Sequence, residues 1–263
     1  MKAITIGYHD VIDTENVAPG AVYTLGKRQF WSHLQTIQRQ QPDVRTIDRL
    51  CRWDGQVPVF LTFDDGTAGA YACASGALEQ HQWRGHFFIT TNWIGQPGYM
   101  SRSQVRELHD RGHVIGSHSC SHPERMACLD RSELMREWKD SCEILSDIVG
   151  ASVLVASVPG GYYGPNVAFA AADAGIEVLF TSEPTTKIEV LQECLVLGRY
   201  CIQRHTPSEA SGAIAAGHRW PRWQQSALWK TKKVFKTVAG ESYVTIRRRL
   251  LARLKPEEDV VRR

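Results

Sequence analysis

Short apolar runs recur along the chain and alternate with stretches whose apolar residues repeat every three or four positions. The runs read as strands near residues 2–8, 58–63, 85–91, 113–117, 153–158, 176–181 and 194–200. Helical patterns fall between them, near 28–40, 68–81, 102–111, 130–149, 165–174 and 207–216. Start signals support two of these: Ser101 followed by Gln104 has the form of a capping box, and Asp130 precedes a face carrying Leu134, Trp138 and Leu145. Regular alternation of this kind predicts an α/β fold, a parallel sheet or barrel of βα units.

Polar residues of unusual type follow several of the strands. Thr62-Phe63-Asp64-Asp65-Gly66 ends the second, and Gly116-Ser117-His118-Ser119-Cys120-Ser121-His122 closes the fourth. Two adjacent carboxylates at a strand end can divide labour, because neighbouring side chains of an extended chain point in opposite directions. One can then face a metal and the other a water. His118 and His122 lie four apart, which on one helical turn places both imidazoles on one face. With Asp65 they form a set of two histidines and one carboxylate that leaves positions open for water and substrate. His9, Asp64, Asp65, His118 and the Pro159–Tyr163 loop all lie just past C-terminal strand ends, where barrel and open α/β enzymes assemble their sites. Asn92-Trp93 sits at the same rim.

The two segments resemble the signature motifs of the polysaccharide deacetylase family, also called the NodB-homology domain or family 4 carbohydrate esterases, over roughly Lys2 to Tyr200. The resemblance implies a distorted, incomplete (β/α)7 barrel. It also implies that Asp64 is the catalytic base, that Asp65, His118 and His122 are the ligands of a divalent metal, most often zinc, and that the substrate is an N-acetylated saccharide. In that family an Arg-Pro-Pro-aromatic segment holds the base by its arginine and offers a backbone N–H to the oxyanion. Here the stretch reads Ser157-Val158-Pro159-Gly160-Gly161-Tyr162, with no arginine, and Tyr162 is the candidate for the oxyanion contact. The family's Leu-x-x-His motif, source of a general acid, has no clear counterpart. His205 and His9 are the candidates for that role, and Arg199 or Arg204 for the absent arginine.

Composition adds an address and a tail. At 43% hydrophobic and 22% charged residues the chain has enough apolar surface for a core. It shows no signal-like or membrane-spanning apolar stretch, and its seven cysteines are scattered without a disulfide framework, so it reads as cytoplasmic. Thirteen Lys and Arg against four acidic residues fall between Arg219 and Arg263, interleaved with Trp220, Trp223, Trp229, Phe235 and Tyr243. The division expected is a deacetylase domain over 1–205 and a basic, aromatic, helical extension over 206–263. Such an extension reads either as a helical appendage packed on the barrel with a solvated basic face, or as suited to an anionic membrane surface, which would place the chain peripherally at its inner face; no nucleic-acid motif accompanies the charge.

The expected activity is metal-dependent removal of N-acetyl groups from amino sugars of a polysaccharide, such as an exopolysaccharide under biosynthesis, of an oligosaccharide or of a lipid-linked precursor. Hydrolysis of another acyl or cyclic amide on a small metabolite is the nearest alternative. A catalytically weak glycan-binding protein is a third.

Overall fold

The computed structural model describes residues 1–18, 20–47 and 56–229. Its strands and helices, in chain order, are β1 (Ile4–Tyr8), β2 (Asp10–Ile12), β3 (Thr24–Gly26), α1 (Lys27–Arg39), β4 (Val59–Phe63), α2 (Gly76–Gln80), β5 (His86–Ile89), α3 (Arg102–Asp110), β6 (Val114–Ser117), α4 (Arg131–Val149), β7 (Val155–Ser157), α5 (Pro165–Asp173), β8 (Val178–Phe180), β9 (Ile188–Leu191), β10 (Cys194–Leu197), β11 (Tyr200–Cys201) and α6 (Ser208–Ala215). The main sheet runs β11-β1-β4-β5-β6-β7-β8-β10-β9. Every pairing in it is parallel except β10 with β9. Only Gly198 and Arg199 separate β10, which pairs with β8, from β11, which pairs with β1. One kinked chain segment thus joins the β1 edge to β10, the last parallel strand before the antiparallel edge strand β9, and curls the sheet into a distorted barrel of seven parallel positions.

All seven expected strands are present, with the last broken at its kink. The hairpin strand β9 and the small parallel ladder β2-β3 were not expected, being too short to show a period. The helix expected over 68–81 is present as a continuous helical run over 68–80, but its Ala70–Ser75 portion is π-helical before Gly76–Gln80 returns to α-helix. The capping boxes at Ser101 and Asp130 are both formed.

Strand periodicity sorts the core. In β4, Val59, Leu61 and Phe63 join the large cluster beneath the helices, while Phe60 faces the barrel interior with Phe88, Val155, Phe180 and Leu197. Positions two residues beyond an inward side chain therefore also point inward. That parity brings Asp64, Ser157 and Arg199 together, because they continue the inward rows of Phe60, Val155 and Leu197.

Of the expected extension, α6 packs against α1 and β1, and a further helical stretch covers 219–229. Residues 230–263, with most of the basic charge, lie outside the described residues.

Candidate active site

Asp64 follows β4 on the inward row and is buried. Its N–H still bonds Tyr8 O, which extends the β1–β4 ladder one step. Arg199 grips it with two parallel bonds, Nη1 to Oδ1 at 2.6 Å and Nη2 to Oδ2 at 2.8 Å. Ser157 Oγ donates to Oδ1 at 3.0 Å, and His9 Nε2 stands 3.9 Å from Oδ2. Burial opposes ionisation of Asp64, but attraction to Arg199, then to His118 and His9, outweighs it and holds the carboxyl below the usual range.

Of the two arginines offered by the sequence, Arg199 is the one that holds Asp64. It arrives from the β10–β11 kink. Its Nε donates to Thr181 O and its backbone N–H to Glu183 O. A Cβ at Gly198 would collide with Glu183 O and crowd Thr185, so glycine is what lets the chain turn there. Arg204 instead donates to Ala18 O at the surface.

Asp65 turns away from Asp64. The strand has ended at Phe63, and Asp65 sits in the left-handed region at φ 72°, followed by Gly66 at 76°. Strand alternation alone does not separate the two carboxylates; this turn does. Asp65 Oδ1 lies 3.4 Å from His118 Nε2 and 3.5 Å from His122 Nε2, is buried, and has no hydrogen-bond partner. His118 Nδ1 lies 3.0 Å from Ser157 O and 2.6 Å from Ser157 Oγ.

His118 and His122 are not on a helical turn, contrary to the spacing argument. Residues 118–123 form a loop with Ser119 at φ 64° and His122 at φ 55°. Glu137 of α4 shapes it by accepting the N–H groups of Cys120 and Ser121 and the Ser121 hydroxyl. Trp93 stacks on the His122 ring at 5.0 Å between centroids. Left-handed backbone at Asp65 and His122 costs on the order of 1–3 kcal/mol each and persists where surrounding structure enforces it.

These three side chains fit a metal ion. An acceptor oxygen faces two imidazole nitrogens with nothing to satisfy it, and all three ligand atoms lie within 4.8 Å of one another. Ligands about 2.1 Å from a tetrahedral centre stand about 3.4 Å apart, which is the spacing from Asp65 Oδ1 to each imidazole nitrogen. Burial and the neighbouring His118 push the His122 imidazole down to about 4, leaving it neutral and able to coordinate. His118 is raised: burial opposes its protonation, but Asp64 and Asp65 outweigh burial.

The remaining candidates divide. His9 is in the group, stacked on Tyr23 at 4.5 Å, with its pKa lowered chiefly by burial against the pull of Asp64 and Asp65. Tyr162 closes the single turn Pro159–Gly161 after β7, where Gly160 and Gly161 both have φ 67°. A Cβ on Gly160 would press on Glu124 O at 2.7 Å. The Tyr162 carbonyl accepts Ala127 N–H and its ring faces Arg125. His205 is exposed in the turn before α6. Ser157 was not singled out in the sequence, although its inward parity after Val155 was available as a signal.

Residues 54–179 match the family model for polysaccharide deacetylase. The chain is 29% identical over 104 residues to the peptidoglycan-N-acetylmuramic acid deacetylase PdaA of Bacillus subtilis (strain 168), 36% of this chain and 38% of that protein. It is 26% identical over 145 residues to a chitooligosaccharide deacetylase of Sinorhizobium fredii, 55% of this chain and 65% of that protein. The chain thus spans less than two thirds of these relatives. Among solved structures, Streptococcus pyogenes deacetylase PplD in complex with acetate superposes with a TM-score of 0.67 at 18% identity, over 80% of this chain and 96% of the other. IcaB from Ammonifex degensii gives 0.65 at 19%, over 84% and 97%. At such identities the likeness establishes the fold.

Proposed function

We propose, on the match of residues 54–179 to the polysaccharide deacetylase family model, that the chain is a metal-dependent hydrolase that removes N-acetyl groups from amino sugars of a polysaccharide, an oligosaccharide or a lipid-linked precursor. The observation that carries this reading is the unsatisfied Asp65 Oδ1 between two imidazole nitrogens, one residue from a carboxylate clamped by arginine. Asp65, His118 and His122 would hold the ion, most simply Zn2+, which when bound acidifies water and polarises an amide carbonyl.

Asp64 is the base in this mechanism. A carboxylate held below its usual range is a weak base, so it keeps a proton only transiently and passes it on. His9, next to Asp64 Oδ2 and partly open to solvent, is better placed than the exposed His205 to deliver a proton to the departing amine. The Gly160-Gly161-Tyr162 turn would supply a backbone N–H to the developing oxyanion, glycine allowing close approach. Trp93, flat on His122 and packed against Tyr99 at 4.8 Å, would offer the half-exposed remainder of its ring to the sugar. Acetate leaves and the sugar keeps an amine.

The test is acetate release from N-acetylglucosamine oligomers together with elemental analysis. Asp64→Asn should keep metal and lose most turnover, on the order of 10²-fold or more; His118→Ala should lose both. Metal retained in His118→Ala would show the ligand assignment to be wrong. Cleavage of a cyclic amide without acetate release would favour the small-metabolite alternative, and saccharide binding with no turnover the glycan-binding one.

For the extension we propose contact with an anionic membrane surface. Trp220 and Trp223 stack at 5.4 Å, and with Leu228 they are more than 60% exposed on the 219–229 stretch, beside the basic residues that follow in the sequence. No described helix is long and apolar enough to cross a membrane, so the contact would be peripheral. Vesicles containing anionic lipid should sediment the full chain and release the Trp220→Ser/Trp223→Ser variant; equal binding of both would refute the idea.

A further inference from the structure

Ser157 opens the stretch that corresponds to the Arg-Pro-Pro-aromatic segment of the resembled family, and because Arg199 from another strand grips Asp64, the Ser157 hydroxyl is left there with two partners. It is fully buried. Oγ donates to Asp64 Oδ1 at 3.0 Å and lies 2.6 Å from His118 Nδ1. An ionised carboxylate only accepts hydrogen bonds, and a hydroxyl has a single hydrogen. Once that hydrogen is committed to Asp64, Oγ can only accept from His118, so Nδ1 must carry the imidazole hydrogen. The carbonyl of the same residue, 3.0 Å from Nδ1 and also only an acceptor, makes the same demand. The lone pair is then left on Nε2, the atom 3.4 Å from Asp65 Oδ1.

Resting on the assignment of Asp64 as base and His118 as ligand, we propose that Ser157 is a positioning residue that ties the two together. The directed chain His118 Nδ1–H to Ser157 Oγ–H to Asp64 Oδ1 lets the negative charge on the base strengthen the imidazole as a donor to metal. Ser157 touches neither substrate nor metal. An outer hydrogen bond to a metal-bound histidine typically changes affinity by about 10–100-fold. Arg199 makes the arrangement possible, because it clamps Asp64 from the kink and leaves the β7 position free for a small hydroxyl.

The experiment is a cobalt(II) binding titration, read by absorption, on the full chain and on Ser157→Ala, Ser157→Thr, Asp64→Asn and the Ser157→Ala/Asp64→Asn double variant. Ser157→Ala is expected to bind cobalt about 10-fold or more weakly. Ser157→Thr, which keeps the hydroxyl, should return to within a few-fold of the parent. In the Asp64→Asn background, where the charge is gone, the same Ser157→Ala change should cost markedly less. The proposal fails if Ser157→Ala binds as the parent does, if Thr gives no rescue, or if the loss is the same in the parent as in the Asp64→Asn background. A parent chain that takes up no cobalt would instead overturn the metal site itself, and this coupling with it.

Discussion

Asp64 and Arg199 form the pair on which the rest of the site depends. Both are buried, joined by two bonds, and surrounded by groups that satisfy the remaining valences. Removing one partner of such a pair leaves a bare buried charge and costs about 3–5 kcal/mol. Arg199→Gln should therefore lower both stability and turnover. Its sharper signature is in pH. Attraction to Arg199 leads the effects that pull the Asp64 pKa down, while burial pushes it up, so deleting the guanidinium must raise that pKa. The acid limb of the kcat/KM profile should move to higher pH; a limb that does not move would exclude Asp64 as the group being titrated. In the parent, the depressed pKa means that the ion pair's stabilisation is complete above the unfolded value near 4 and is lost only as pH falls through the folded one.

At the scale of the element, one-dimensional pattern explains more of the site than the motifs alone. The inward rows Phe60-Thr62-Asp64, Val155-Ser157 and Leu197-Arg199 follow from a period of two, so the partners of Asp64 were legible as strand-end residues of the right parity. What a period cannot give is the order of strands around the barrel, which decides that the β10–β11 kink rather than β7 presents the arginine. Nor does spacing give the loop at His118–His122, whose shape comes from Glu137 on a helix well downstream. Two predictions belong here. Gly198→Ala should displace the Glu183 carbonyl and with it Arg199, lowering kcat more than KM. Glu137→Ala should leave the fold intact and weaken metal binding about 10-fold, measured by competition with a chromophoric chelator.

For the whole molecule the seven-strand alternation was readable because each parallel strand is buried on both faces and shows as an apolar run between helical patterns. The short ladder β2-β3 and the hairpin strand β9 carried no such signal. A cost of this packing is a set of buried histidines outside the site. Burial pushes His33, His86 and His113 down to about 4. Between that value and the unfolded value near 6.5 the unfolded chain binds more protons than the folded one, so stability must fall as pH is lowered through this window. The denaturant midpoint of the metal-free protein should decline from pH 6.5 toward 4; a flat profile would show these groups to be more solvated than their positions indicate.

The most direct test of the central claim is acetate release from N-acetylglucosamine oligomers by the chain after chelation and again after adding back one equivalent of Zn2+, with His118→Ala run beside it. A metal held by Asp65, His118 and His122 predicts no release by the stripped chain, recovery on adding the ion, and none by the variant at any metal concentration. Acetate release that survives complete stripping, or that returns in His118→Ala, would contradict it.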